Sequence, residues 1–150
     1  MRRVEMIAQG PLTRQVTGRL AVDTKGPGFS EITAEVAGFV REAGMRHGLL
    51  TVFCRHTSAS LTIQENADPD VRTDLMTALD RLAPRDAPYV HGIEGPDDMP
   101  AHIRTLLTDA ALTIPLVDGA LALGTWQGIY LIEHRDRPHR REIVLSLVGG

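Results

Sequence analysis

The apolar residues of this chain change period along its length, and that change constrains the fold more than any other feature. From Ser30 onward, Ile32, Val36, Phe39, Val40 and Ala43 recur every three to four positions, as on an amphipathic helix, and Gly44 stops the run. LLTVFC (49–54) follows as a short continuous apolar stretch, which predicts a strand buried on both faces, and SLTI (60–63) predicts another short strand. Asp68-Pro69-Asp70 then opens a second helix with an N-cap acid, a proline at the first helical position and a further acid near the positive helix end. Val71, Leu75, Leu79 and Leu82 form its expected buried stripe, and a third helix, starting near Met99-Pro100, carries Ile103, Leu106 and Leu107. Beyond that helix the period shortens to that of strands. LTIPLV (112–117), Asp118-Gly119 and ALALG (120–124) predict a hairpin with a tight turn, and GIYLIEH (128–134) and EIVLSLV (142–148) alternate, joined by the basic loop RDRPHRR. Nearer the start, Val16, Gly18, Leu20 and Val22 alternate as a half-buried strand would, and KGPG (25–28) is a turn. Residues 1–13 read as a strand or arm ahead of the domain proper. The order is β, α, β, two helices and a β-rich end: an α+β fold with a largely antiparallel sheet.

A chain of 150 residues, 43% hydrophobic and 23% charged, fits one domain (1–150) that buries its own core. With Cys54 as the single cysteine no intrachain disulfide forms, and the reducing cytoplasm is the expected location. No apolar run reaches the length of a membrane span, and the opening MRRVEMIAQGP is too short in apolar residues for a signal peptide. The net charge of −3 and an aromatic content of 4% argue against a general nucleic-acid binder.

Four stretches carry more polar chemistry than folding requires. In RHTSASLTIQENADPD (55–70), His56, Thr57, Ser58 and Ser60 follow directly on a buried strand, where a general base, a metal ligand or an anion-holding group would be well placed; turn bonds would equally use the hydroxyls. In HGIEGPDDMPAHI (91–103), Asp98 and His102 stand four apart and share a helix face, so the carboxylate would raise the basicity of His102 or ligate a metal with it. His91 and Glu94 lie in the preceding loop, while Asp97 or Asp98 would cap the helix. In GTWQGIYLIEHR (124–135), Trp126 is flanked by Gly124 and Gly128, and Glu133 and His134 point to opposite strand faces, so that one of them faces inward. RDRPHRR (135–141) clusters arginines suited to phosphate or carboxylate, or simply forms a polar hairpin loop. Zinc-finger and zincin spacings are absent; His56, His102 and His134 with an acid would hold zinc or another divalent ion only where the fold gathers them.

HTSASLTIQENADPDVRTDL, EGPDDMPAHI and IPLVDGALALGTWQGIYLIEHR together resemble the YjbQ-like family, also called the secondary thiamine-phosphate synthase family, over roughly Val16–Gly149. The resemblance implies a compact α+β domain with a β-sandwich-like core and about three helices, assembled as a homotrimer with its polar blocks near subunit boundaries. It also implies a weak activity that joins hydroxymethylpyrimidine pyrophosphate to thiazole phosphate. The matching positions are His56, Thr57, Ser58, Glu65, Asn66, Asp68, His91, Glu94, Asp97, Asp98, His102, Thr125, Trp126, Gln127, Glu133, His134 and Arg135. The family usually ends in Gly-Glu where this chain ends in Gly149-Gly150, and the first thirteen residues extend further than the family pattern.

For such a reaction His56, Asp98, His102 and His134 are the expected catalytic residues, with His56, His102 and His134 as ligands of zinc, or Asp97 and Asp98 as ligands of magnesium. Arg135, Arg140 and Arg141 would serve the phosphates and Trp126 an aromatic ring, with Thr57, Ser58, Asn66, His91, Glu94, Gln127 and Glu133 completing the substrate site. The expected partner is a small phosphorylated molecule or other anion; no organic cofactor, nucleic acid or membrane is expected. A metal-dependent hydrolase and a non-catalytic trimeric binder of a phosphorylated metabolite are the competing functions.

Overall fold

The computed structural model describes residues 2–150; Met1, the first residue of the expected arm, lies outside the described residues. Along the chain run β1 (Arg14–Asp23), β2 (Gly28–Glu31), α1 (Thr33–Ala43), β3 (Gly48–Cys54), β4 (Ala59–Glu65), α2 (Pro69–Leu82), α3 (Asp98–Leu107), β5 (Ala111–Val117), β6 (Ala120–Leu121), β7 (Gln127–Glu133) and β8 (Arg140–Gly149). One sheet has the order β1-β8-β3-β5-β6 and the other β2-β7-β4, with every pairing antiparallel. Leu50 and Val52 of β3, Ile114 and Leu116 of β5 and Ile143, Leu145 and Leu147 of β8 meet Leu61 of β4 and Ile129 and Leu131 of β7, with Val36 and Val40 of α1. This is the antiparallel α+β fold that the periodicity predicts, with the sandwich-like core that the family resemblance implies. Residues 2–13 form no strand; the arm is exposed, and its end is pinned where Thr13 N–H donates to Gly149 O at 2.9 Å and His47 meets Pro11 O at 3.0 Å.

Local signals placed several boundaries well. Gly44 ends α1 in the left-handed conformation (φ 70°), and the Asp68 carboxylate accepts from Asp70 N–H at 2.9 Å with Pro69 in the first turn of α2. Asp118 (φ 50°) and Gly119 (φ 81°) are both left-handed, as a two-residue hairpin turn requires, although β6 beyond it is only two residues long.

Face assignments change more. β3, expected to be buried on both sides, alternates: Leu50, Val52 and Cys54 point inward while Leu49 and Phe53 stay exposed, because no layer covers the outer face of its sheet. β7, expected to alternate, is buried on both sides from Gly128 to Glu133, because it is the central strand of the smaller sheet. β7 and β8 belong to different sheets, so residues 134–139 cross between sheets rather than closing a hairpin. KGPG runs directly into β2, an edge strand the sequence reading lacks.

The two later helices also depart from their expected stripes. On α2 only Leu79 is buried and Leu82 is exposed. On α3 Leu106 and Leu107 point outward, and the buried residues are Pro100, Ala101, Asp98 and Arg104. Two charged side chains can occupy that inner face only because partners meet them there.

Candidate functional site

Two acid–arginine pairs meet at the end of β7: Glu133 with Arg141 of β8, and Arg135 with Asp97 and Asp98 at the start of α3. The inner pair is Glu133 and Arg141, with side chains 1% and 5% exposed. Arg141 Nε donates to Glu133 Oε1 at 2.8 Å and its Nη2 to Oε2; Thr24 Oγ1 donates to Oε1 at 2.6 Å, and the backbone N–H groups of His134 and Arg135 donate to Oε2 at 3.0 and 3.1 Å. Burial pushes the Glu133 carboxyl up, but Arg141, Thr24 and the backbone donors outweigh it and hold the group ionised, below its ordinary value. Arg141 Nη2 also donates to the carbonyl and hydroxyl of Ser58, at 3.2 and 3.0 Å.

His56 and His134 serve this interior. Glu142 N–H donates to His56 Nε2 at 2.8 Å, so that nitrogen is an acceptor and the ring is neutral. Burial, then Arg141, lowers the His56 pKa. Both Glu133 and His134 are buried, where strand alternation had placed only one inward; the helices α2 and α3 cover the second face. His134 Nε2 lies 2.8 Å from Ser60 Oγ, which lies 2.6 Å from Thr108 Oγ1, itself 2.7 Å from Arg104 O. Thr108 Oγ1 is placed to donate both to that carbonyl and to Ser60 Oγ, and Ser60 in turn meets the His134 ring at Nε2. Burial, followed by the charge of Arg104, lowers the His134 pKa to about 4.

The outer cluster is different. Asp98, at the start of α3, has 6% of its side chain exposed, yet its Oδ2 faces two imidazoles that are partly open to solvent: His91 Nε2 at 2.6 Å and His102 Nε2 at 3.1 Å. Arg135 Nη1 donates to Asp98 Oδ1 at 2.8 Å, and Arg135 Nε donates to Asp97 Oδ2 at 2.8 Å. Asp136 N–H adds a 3.0 Å bond to Asp97, and Arg135 Nη2 reaches Glu94 O at 2.9 Å. Burial opposes ionisation of Asp97, but Arg135 and the Asp136 N–H together hold it at about 2. Asp98 is likewise lowered, burial being outweighed by His91, His102 and Arg135. Asp97 occupies the cap position of α3 without making a side-chain cap bond, so capping does not explain either acid.

His102 Nδ1 lies 3.0 Å from the Thr57 carbonyl, which fixes the proton on that nitrogen and leaves Nε2 bare in the neutral ring. The ligand-type atoms of His91, Asp98 and His102 all lie within 4.8 Å of one another. Two imidazole nitrogens and a carboxylate oxygen, oriented by a carbonyl and an arginine, are a donor set that fits a divalent cation.

The structure therefore divides the sequence-predicted residues. It brings Asp98 and His102 together with His91, which replaces His56 and His134 in the converging set: those two rings are engaged by the Glu142 amide and Ser60. Thr57 joins through its carbonyl and Ser58 through Arg141. Arg135 and Arg141 are both bound to carboxylates, while Arg140 is exposed. Asn66, exposed Trp126 and Gln127 lie at the other end of β4 and β7, where Glu65 pairs with Gln127, whereas Ala59 pairs with Glu133 at the histidine end. Six residue steps along the strand separate these ends by about 20 Å. There Asn66 Nδ2 donates to Glu31 Oε2 at 3.1 Å, with the close approach that Gly128 allows. Thr24 and Thr108 escape sequence reading because nothing local marks them; Arg104 was detectable as the charged member of the α3 face shared with Ala101 and Pro100.

Comparison with known proteins agrees with this architecture. Residues 18–150 match the family model described as UPF0047 protein YjbQ-like. A UPF0047 protein of Synechocystis sp. is 49% identical over 145 residues, covering 96% of this chain and 99% of the relative. The UPF0047 protein YjbQ of Salmonella typhimurium is 41% identical, covering 87% and 95%. The crystal structure of an uncharacterized conserved protein of the yjbq/upf0047 family from Clostridium acetobutylicum superposes with a TM-score of 0.76 at 38% identity, covering 88% of this chain and 98% of that one. A YbjQ-like protein from Sulfolobus solfataricus shares the fold at a TM-score of 0.81 with 20% identity, covering 91% and 100%. With this sequence, this sandwich and matches across nearly its whole length, the chain belongs to the UPF0047 YjbQ-like family.

Proposed function

We propose that this protein binds a divalent cation on His91, Asp98 and His102 and uses it to act on a small phosphorylated substrate. Coupling of hydroxymethylpyrimidine pyrophosphate to thiazole phosphate is the reaction to test first, on the strength of the resemblance. One observation carries the proposal: with Nδ1 of His102 on Thr57 O, the Nε2 atoms of His91 and His102 converge on Asp98 Oδ2 within 4.8 Å of one another, a gap that a proton fills in the free protein and a divalent cation can take in its place. A divalent ion held there supplies the positive charge that a phosphate or pyrophosphate group needs. Arg135 orients Asp98, and Asp97 in turn holds Arg135. Because Arg135 and Arg141 are already neutralised by carboxylates, exposed Arg137 and Arg140 are the arginines of this loop left to meet an anion.

The proposal includes a cytoplasmic homotrimer. Its support is that exposed Val90 and Ile93 flank His91, while Trp126 stands exposed about 20 Å away at the opposite strand end. A neighbouring copy would bring its Trp126 end to the histidine end of the first. Among the described residues, no helix is long and apolar enough to cross a membrane.

The test supplies the purified protein with Mg²⁺ or Zn²⁺ and both thiamine halves. Thiamine phosphate formation that falls at least about a hundredfold in His102→Ala and Asp98→Asn supports the proposal, this being the scale on which lost metal-site groups act. Release of phosphate without coupling assigns metal-dependent hydrolysis, and binding without turnover assigns a non-catalytic binder. Unchanged turnover in both variants places the chemistry elsewhere.

A further inference from the structure

Arg104 is the buried charged residue that keeps an enclosed polar atom without a partner among the described residues. Its side chain is 5% exposed, and one carboxylate meets it: Asp80, itself 66% exposed, accepts from Nη2 at 2.7 Å. Nη2 also approaches Ala83 O at 3.5 Å. Nε is fully enclosed and has no acceptor. Nη1 likewise makes no hydrogen bond among the described residues, and it is not among the enclosed atoms, so it is the nitrogen open to a ligand. A cavity of about 460 Å³ lies against this side chain, with Met76, Ala83, Pro84 and Pro27 as apolar wall and Asp80, Asp86 and Arg85 as the other charged lining.

A guanidinium on the wall of an apolar-sided hollow of this volume has the form of a small-ligand site. We propose that this cavity binds a small monoanion with a compact apolar body, its carboxylate accepting from Arg104 Nη1. Three features select that class. The unpartnered donor needs an oxygen acceptor, and a carboxylate matches guanidinium geometry. The apolar wall takes hydrocarbon. Asp80 and Asp86 on the same lining repel a dianion, which favours a carboxylate over phosphate. Arg85 adds no free charge, because it is paired bidentately with Asp136. The site is separate from the His91–Asp98–His102 cluster and needs no metal.

The experiment follows the Arg104 Nε–H signal by NMR while benzoate is titrated into the full-length protein, with inorganic phosphate as the second probe and chelator present throughout. The expected result is a saturable shift with benzoate, at least about tenfold weaker binding of phosphate, and loss of the benzoate response in Met76→Trp, which fills the cavity and keeps Arg104 in place. Met76→Trp also keeps the test open where Arg104→Gln fails to fold. No saturable shift with benzoate, a shift unaltered by Met76→Trp, or tighter binding of phosphate would overturn the proposal. The readout is at Arg104 in metal-free protein and does not depend on an ion at the histidine cluster, so the two proposals fail independently.

Discussion

Glu133, Arg141 and His134 carry the same functional groups as Asp98, Arg135 and His102 (a carboxylate, a guanidinium and an imidazole), yet the two groups are built to opposite ends. The first is sealed between sheets and helices. Its carboxylate is saturated by a guanidinium, a hydroxyl and two backbone N–H groups, and its imidazole is neutral and tied into a hydroxyl chain. The second has one carboxylate oxygen held by an arginine and the other turned toward two rings whose side chains are 41% and 34% exposed. A saturated, buried carboxylate stabilises the fold, whereas one with a shared, accessible oxygen is equipped to take a ligand. Composition alone does not separate them; enclosure does.

The largest effect expected from this contrast is on stability. Glu133→Ala leaves Arg141 buried without its counter-charge and should cost about 3–5 kcal/mol in urea unfolding. A loss below about 1 kcal/mol would mean that water already reaches the inner pair.

Next is the pH dependence of His134. The native ring titrates at about 4, against 6.5 for a free one, so the unfolded chain takes up the proton first. The stability this group contributes is complete above about pH 6.5 and declines as the pH falls toward 4, on the order of 3 kcal/mol in all. Unfolding midpoints measured from about pH 7 down to 4.5 should show that slope in the wild type and lack it in His134→Gln. An equal slope in both would assign it to other groups.

Two smaller effects concern the outer cluster. Arg135→Ala removes the guanidinium that orients Asp98 and should weaken divalent-cation binding about 10–100-fold, read by titration calorimetry. His91→Ala, in metal-free protein, should change the unfolding free energy by no more than about 0.5 kcal/mol, because its ring is so open to solvent. A loss of several kcal/mol there would erase the distinction between the clusters.

Much of the fold was legible because its signals are local: Gly44 and Asp68-Pro69 need only their neighbours to end or begin a helix. Which face of an element is buried depends on layers contributed by distant segments. LLTVFC reads as doubly buried but lies in a sheet with one open face, while β7 is covered on both sides because it became a central strand. The polar residues behaved similarly. Asp98 and His102 were readable as a pair from helical spacing, whereas His91 joins them through a loop whose path no spacing encodes. The inward turn of Arg104 and Asp98 runs against the apolar periodicity of α3, and their polar partners come from elsewhere in the chain.

The most direct test of the division between the clusters is calorimetric titration of Zn²⁺ into metal-free wild type, Asp98→Asn, His102→Ala and His134→Gln. The two-cluster account predicts stoichiometric binding in the wild type and in His134→Gln, and loss of that binding in Asp98→Asn and His102→Ala. Absence of stoichiometric binding in the wild type, or its survival in His102→Ala, would contradict it.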